Sequence, residues 1–153
     1  VASILREAGL PPGRLKLEIT ETVLLQDSAA NLPTLHALKR IGMLLMLDDF
    51  GTDYSSLGYL QRFPFDKLKV DQSFARRLIE RQESQAIAQS ILGVAKALKI
   101  GTTAEGVKTQ EQNDWLRKAG YGQVQGYLFS RPMPANDILP FLSSAAGDAE
   151  LDR

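Results

Sequence analysis

A chain of 153 residues, 44% hydrophobic and 24% charged, is long enough for one domain with a buried core and has the composition of an ordinary soluble globular fold. Lysine plus arginine number 18 and aspartate plus glutamate 18, so no net field exists to hold a DNA or RNA polymer or an anionic membrane, although a few local groups or metal ions can still hold a small anion. Cysteine is absent, which excludes disulfides and thiolate metal sites, and no apolar run approaches the roughly 20 residues that span a bilayer.

These features permit a cytoplasmic setting. The chain opens on Val1 and carries no signal-peptide pattern. A start on valine suggests a piece of a longer polypeptide, whose upstream segments can include a membrane anchor.

Taken in chain order, short apolar strands alternate with amphipathic helices. The first predicted strand covers residues 15–20: Leu15, Leu17 and Ile19 point to one face, and Lys16, Glu18 and Thr20 to the other. Asp27 or Ser28 is placed to cap the next helix, whose apolar stripe is Leu32, Leu35, Leu38 and Ile41 and whose stop is Gly42. The second strand, residues 43–47, is continuously apolar and ends in Asp48-Asp49, the pattern of a strand buried on both faces. A loop over residues 50–53 leads to a short helix at 54–61, then to a third strand at 67–71. A long helix follows, with Ile87, Ile91, Val94, Ala95 and Leu98 along one stripe, and the charged stretch 76–83 before it reads as a solvated face and turn. The fourth strand, residues 100–104, ends at Glu105-Gly106. Thr109 and Gln112 are spaced as a capping box for a helix carrying Trp115 and Leu116 and stopping at Gly120. A fifth strand is expected at 124–129 and a last helix around Ile138, Leu139, Phe141 and Leu142. Residues 1–142 therefore read as part of one domain, and the small, polar residues 143–153 as a flexible tail.

Alternating strands and helices mean α/β with a parallel sheet, either an open doubly wound sheet or part of a (β/α)8 barrel. The distribution of polar residues favours the barrel. Glu18, Asp48 with Asp49, Asp71, Glu105 and Gln125 are assigned to successive strand ends, which a barrel converges on one mouth and an open sheet spreads along an edge. A full barrel takes about 250 residues and eight strands, so five strands imply a partial (β/α)8, TIM-like barrel lacking its first strands.

Carboxylates gathered in one mouth repel. Two unit charges roughly 6 Å apart cost about 3 kcal/mol at an effective dielectric of about 20, which protonation or a cation must offset. Oxygen donors alone suit Mg²⁺, Mn²⁺ or Ca²⁺. Two such ions can activate water for in-line displacement at phosphorus, with Glu105 placed to take the proton and Lys69, of the same strand parity as Asp71, to hold a water or a phosphoryl oxygen. Each residue also has a plainer role: a strand-end Asp as a turn or helix cap, Lys69 as an ordinary salt-bridge lysine, His36 as a solvated side chain and Trp115 as core. By itself the pattern stops at a metal-dependent barrel enzyme.

Several segments resemble the EAL domain family in order and spacing. Leu17-Glu18-Ile19-Thr20-Glu21 is similar to its ELTE strand, and Asp48-Asp49-Phe50-Gly51-Thr52-Asp53-Tyr54-Ser55-Ser56-Leu57 to its DDFGTGYSSL loop. Residues 67–74 resemble KIDxSF, Ala104-Glu105-Gly106-Val107 resembles AEGVE, and Gln125-Gly126-Tyr127-Leu128-Phe129-Ser130-Arg131-Pro132 resembles QGYLFSRP. The resemblance implies a modified (β/α)8 barrel that hydrolyses the bacterial messenger cyclic di-GMP to pGpG with two Mg²⁺ or Mn²⁺ ions. It further implies Glu18, Asp48 and Asp49 as metal ligands, Glu105 as general base, Lys69 as the group that orients water or steadies phosphate, and Asp71 and Gln125 in support. Glu21 would brace the loop at residues 49–57, through which the domain would pair as a homodimer. Sensory or GGDEF domains are expected upstream in the parent.

Three departures qualify that expectation. The strands bearing the EAL tripeptide and a metal-binding Asn are not among these residues, which implies a gapped barrel and an incomplete, inactive fragment. Lys108 stands where the family has a glutamate, and Asp53 where it prefers glycine. Lys108 favours the alternative of a non-catalytic cyclic di-GMP receptor, and the incomplete barrel that of a protein-interaction module.

Overall fold

The computed structural model of the chain describes residues 1–26, 28–51 and 57–151; side chains are described at all of these except 25–26, 28–30, 57, 59 and 145–151. Five parallel strands, β1 (Lys16–Thr20), β2 (Leu44–Phe50), β3 (Lys67–Val70), β4 (Gly101–Ala104) and β5 (Gln123–Val124), pair in the order in which they occur in the chain. The order never reverses. A doubly wound sheet reverses at a switch point and carries helices on both faces, so this topology decides for the barrel segment.

Around the sheet run α1 (Ala2–Glu7), α2 (Glu21–Gln26), α3 (Ser28–Ile41), α4 (Leu57–Arg62), α5 (Gln72–Arg76), α6 (Gln82–Leu98), α7 (Gln110–Ala119) and α8 (Ala135–Leu151), with a 3₁₀ turn at Pro12–Arg14. Strand register sets which side chains share a face. Ile19, Leu47, Leu68 and Thr102 stand side by side, and with Leu45, Val70 and Ala104 they form the face that the helices cover. Leu24, Leu35, Leu60, Ala88, Ile91, Leu92, Ala95 and Leu116 pack onto it in a single apolar cluster. The opposite face carries Glu18 beside Met46 and Lys67 in one row, and Lys69 beside Thr103 and Gln123 in the next. This is the layout of a barrel: aliphatic under the helices, functional toward the axis.

The structure corrects several boundaries. β5 has two residues instead of six, because the chain turns at Gly126 and residues 127–129 form a turn. β2 runs on through Asp48 and Asp49 to Phe50 by means of a bulge. Ile87 is 44% exposed, and the buried stripe of α6 is Ser84, Ala88, Ile91, Leu92 and Ala95. Glu18 lies mid-strand and not at the end of β1. α1, α2 and α5 carry no strong sequence signal, since helices of five or six residues are too short to show a period. α8 continues to Leu151 past the expected stop at Leu142, with the hydroxyls of Ser143 and Ser144 donating to the carbonyls of Leu139 and Phe141. The capping box at Thr109 and Gln112 is present with both bonds made, and α7 ends at Gly120 as expected. His36 is exposed, and Trp115 is half-buried against the core. The expected cap Asp27 and residues 52–56, including Asp53, lie outside the described residues. No described helix is long and apolar enough to cross a membrane.

Candidate active site

Lys69 stands at the centre of the axis-facing surface. Its side chain is buried, yet Nζ lies 2.7 Å from Glu18 Oε2, 3.0 Å from Asp48 Oδ1 and 2.8 Å from Glu105 Oε1. Burial alone would lower the ammonium's pKa, but hydrogen bonds to Glu105, Glu18 and Asp48 outweigh it, so the group is held charged well beyond the ordinary lysine range. One lysine thus joins acids from β1, β2 and the end of β4. Strand parity alone predicts this inward direction for Lys69.

Parity fails at Asp48 and Asp49. Adjacent strand residues point to opposite faces, which would send one carboxylate outward. The bulge between Leu47 and Phe50, with Asp49 in the left-handed region at φ +54°, breaks the alternation and brings both carboxylates to the mouth. Aspartate tolerates that conformation better than most residues. The Asp49 N–H donates to Asp48 Oδ1 at 3.1 Å, which ties the pair together. Asp48, Asp49 and Glu105 each offer a carboxylate oxygen, and these lie within 4.8 Å of one another. Burial, then the charges of Asp48 and Asp71, push the Asp49 carboxyl up, with Lys69 opposing. An all-oxygen trio this close, one member resisting ionisation, fits a hard divalent cation.

The other residues singled out in the sequence lie on β1, on α2, at the N-terminus of α5 and in the segment after β5. Asp71 is the N-cap of α5, accepting from the Ser73 N–H at 2.9 Å, and its charge reaches Asp49. Glu18 is outside the carboxylate trio and joins it through Lys69. Glu21 is buried at the head of α2, and the loop it was expected to brace lies mostly outside the described residues. Gln125 follows β5. Its N–H donates to the Ala104 carbonyl at 2.8 Å, and its own carbonyl accepts from Val107 N–H at 3.1 Å. With Glu105 it lines a cavity of about 450 Å³ whose walls also include Gln72, Arg76, Lys108 and Tyr127.

Some of these wall residues escape sequence reasoning. Gln72, Arg76 and Tyr127 reach the cavity from α5 and the turn after β5, neither of which carries a periodic signal. Thr103 was within reach of the parity argument: it sits beside Lys69 on the axis face, and its buried hydroxyl has no hydrogen-bond partner among the described residues.

The EAL domain family model matches residues 1–132. The chain belongs to the EAL domain family. Its five strands are accordingly part of the TIM-like barrel of an EAL domain. The cyclic di-GMP phosphodiesterase NbdA of Pseudomonas aeruginosa is 44% identical over 149 residues, 97% of this chain and 19% of NbdA. Among solved structures, the phosphodiesterase PaMucR in complex with c-di-GMP superposes with a TM-score of 0.83 at 38% identity, covering 89% of this chain and 55% of that one. Klebsiella pneumoniae BlrP1, solved as a manganese and cyclic di-GMP complex, gives a TM-score of 0.80 at 40% identity over 86% of this chain and 33% of its own. BlrP1 is also solved with calcium. This EAL chain thus spans about a fifth of the length of NbdA and about half of the PaMucR chain.

Proposed function

We propose that the chain is the C-terminal part of a cyclic di-GMP phosphodiesterase domain, which in its parent hydrolyses the cyclic dinucleotide to linear pGpG. The observation that carries this reading is the convergence of Glu18, Asp48 and Glu105 on Lys69, with Asp49 brought beside them by the bulge. Asp48 and Asp49, with Glu18, would hold two divalent ions, Mg²⁺ or Mn²⁺. When bound, such ions supply Lewis-acid charge at the phosphoryl group and lower the pKa of water. Glu105 accepts the water proton as the water oxygen bonds to phosphorus and the bond from phosphorus to the 3′ oxygen breaks. Lys69 positions that water or a phosphoryl oxygen, and Gln125 steadies the ligand from the wall of the same cavity.

A second reading, a receptor that binds the dinucleotide without turnover, is favoured by the cationic Lys108 on the cavity wall. The two part on one measurement in the parent protein. Glu105→Gln is expected to lower Mn²⁺-dependent production of pGpG by at least about 100-fold while leaving dinucleotide binding within a few-fold. Turnover unchanged by the substitution removes Glu105 from the base role, and a parent that binds without turnover establishes the receptor. The homodimer through residues 49–57 and the upstream sensory or GGDEF domains belong to the same proposal.

A further inference from the structure

We propose that Arg76 and Lys108 form an anion subsite on the cavity beside Glu105, built to hold a phosphate group of the ligand directly. The inference rests on the reading of this cavity as a phosphodiester site, and extends it to side chains that do not belong to the carboxylate cluster.

Two features of the backbone bring these cations to one cavity. A Cβ placed on Gly106, which has φ +69°, would stand 2.3 Å from the Gln72 Cβ, so the glycine lets α5 lie against the loop after β4. A Cβ on Gly126 would stand 2.1 Å from the Val107 carbonyl oxygen, so the turn after β5 closes equally tightly on the same loop. Lys108 has its backbone pinned, its N–H donating to Gln112 Oε1 at 2.8 Å, while its side chain is exposed. The Arg76 guanidinium is oriented by its Nη2, which donates to Gln72 Oε1 at 2.9 Å.

The charges around the cavity are unevenly matched. Glu105 is engaged by Lys69 at 2.8 Å on its other side. Neither Arg76 nor Lys108 has an ion pair among the described residues. Lys69 is shared by three carboxylates, so without divalent ions the acid side of the site is net negative and repels an anion toward the Arg76 and Lys108 wall. A guanidinium fork and a mobile ammonium on one rim suit a phosphate with several free oxygens. A glutamate in place of Lys108 would remove one cation and set a like charge against the phosphate.

Inorganic pyrophosphate, titrated without divalent ions into the ¹⁵N-labelled chain at low salt, tests the subsite apart from dinucleotide chemistry. Saturable shifts are expected at the amides of Gly106, Lys108 and Gly126. Lys108→Glu and Arg76→Gln should each weaken binding by about 10–100-fold, the loss of one charge-assisted hydrogen bond, and Lys108→Arg should retain it. Overlay of the remaining amide resonances shows that each variant is folded. Shifts confined to other residues, or a Lys108→Glu affinity equal to that of the unsubstituted chain, overturn the subsite. A parallel titration with cyclic di-GMP and Ca²⁺ separates the two ideas. With that second titration made on the parent domain, pyrophosphate binding without dinucleotide binding sinks the proposed function and leaves the subsite, and dinucleotide binding indifferent to Lys108 does the reverse.

Discussion

Lys69 shows how much one buried ammonium can organise. Removing it as Lys69→Met leaves Glu18, Asp48 and Glu105 facing one another without their shared counter-charge. Breaking a fully buried pair costs about 3–5 kcal/mol. Here the Glu18 side chain is 47% exposed, so solvent screening reduces the expected loss to about 1–3 kcal/mol in urea unfolding at neutral pH. Because the folded pKa is raised, the ammonium's contribution is complete below the ordinary lysine range and fades only as pH rises past it. Tyr121 offers a second residue-level test away from the site. Its hydroxyl donates to the Ala88 carbonyl at 2.9 Å inside the core, and burial pushes its pKa up from 10.0 to about 12. Tyr121→Phe should cost about 1 kcal/mol at neutral pH. A folded pKa above the unfolded one means stability that is full below pH 10 and lost as pH rises toward 12, so the gap between Tyr121 and its Phe variant should close over that window. A gap constant with pH would show that the phenol ionises no less readily in the folded chain.

Among the elements, the bulge in β2 and the turn after β5 do most to build the site. Asp48 and Asp49 are legible in the sequence as a pair, but a regular strand would have separated them across the sheet. Gln125, assigned to a strand end in the sequence, does follow a strand, but that strand has two residues and not six. The turn is made possible by Gly126, whose backbone approaches Val107 too closely for any side chain. Gly126→Ala is expected to destabilise by more than about 2 kcal/mol in urea unfolding, since backbone and not a flexible side-chain end must move. A loss below about 0.5 kcal/mol would show that the turn can open freely.

Over the whole molecule, five strands in sequential order supply one side of a barrel whose complete form takes about eight. The outer edges of β1 and β5 are the ends of the sheet among the described residues. The axis face is correspondingly open, with Glu18 exposed on β1. Catalysis of the proposed kind needs ligands from the full circumference and a mouth that excludes water. The 153-residue chain alone is therefore expected to show less than about 1% of the Mn²⁺-dependent pGpG production of its parent domain, measured by chromatography of the products. Turnover approaching that of the parent would mean that these five strands hold a sufficient site.

Period-two alternation, helix stops and the capping box at Thr109 were determined by the sequence itself, because each depends on residues within a few positions of one another. The motif resemblance likewise named the family and the acids. Three things were decided only by the tertiary structure: the bulge that turns Asp49 inward, the three-way grip on Lys69, and the cavity shared by Arg76, Lys108 and Gln125. Each depends on backbones or side chains distant in the chain meeting at fixed separations, and only close packing of strand against strand and loop against loop sets those.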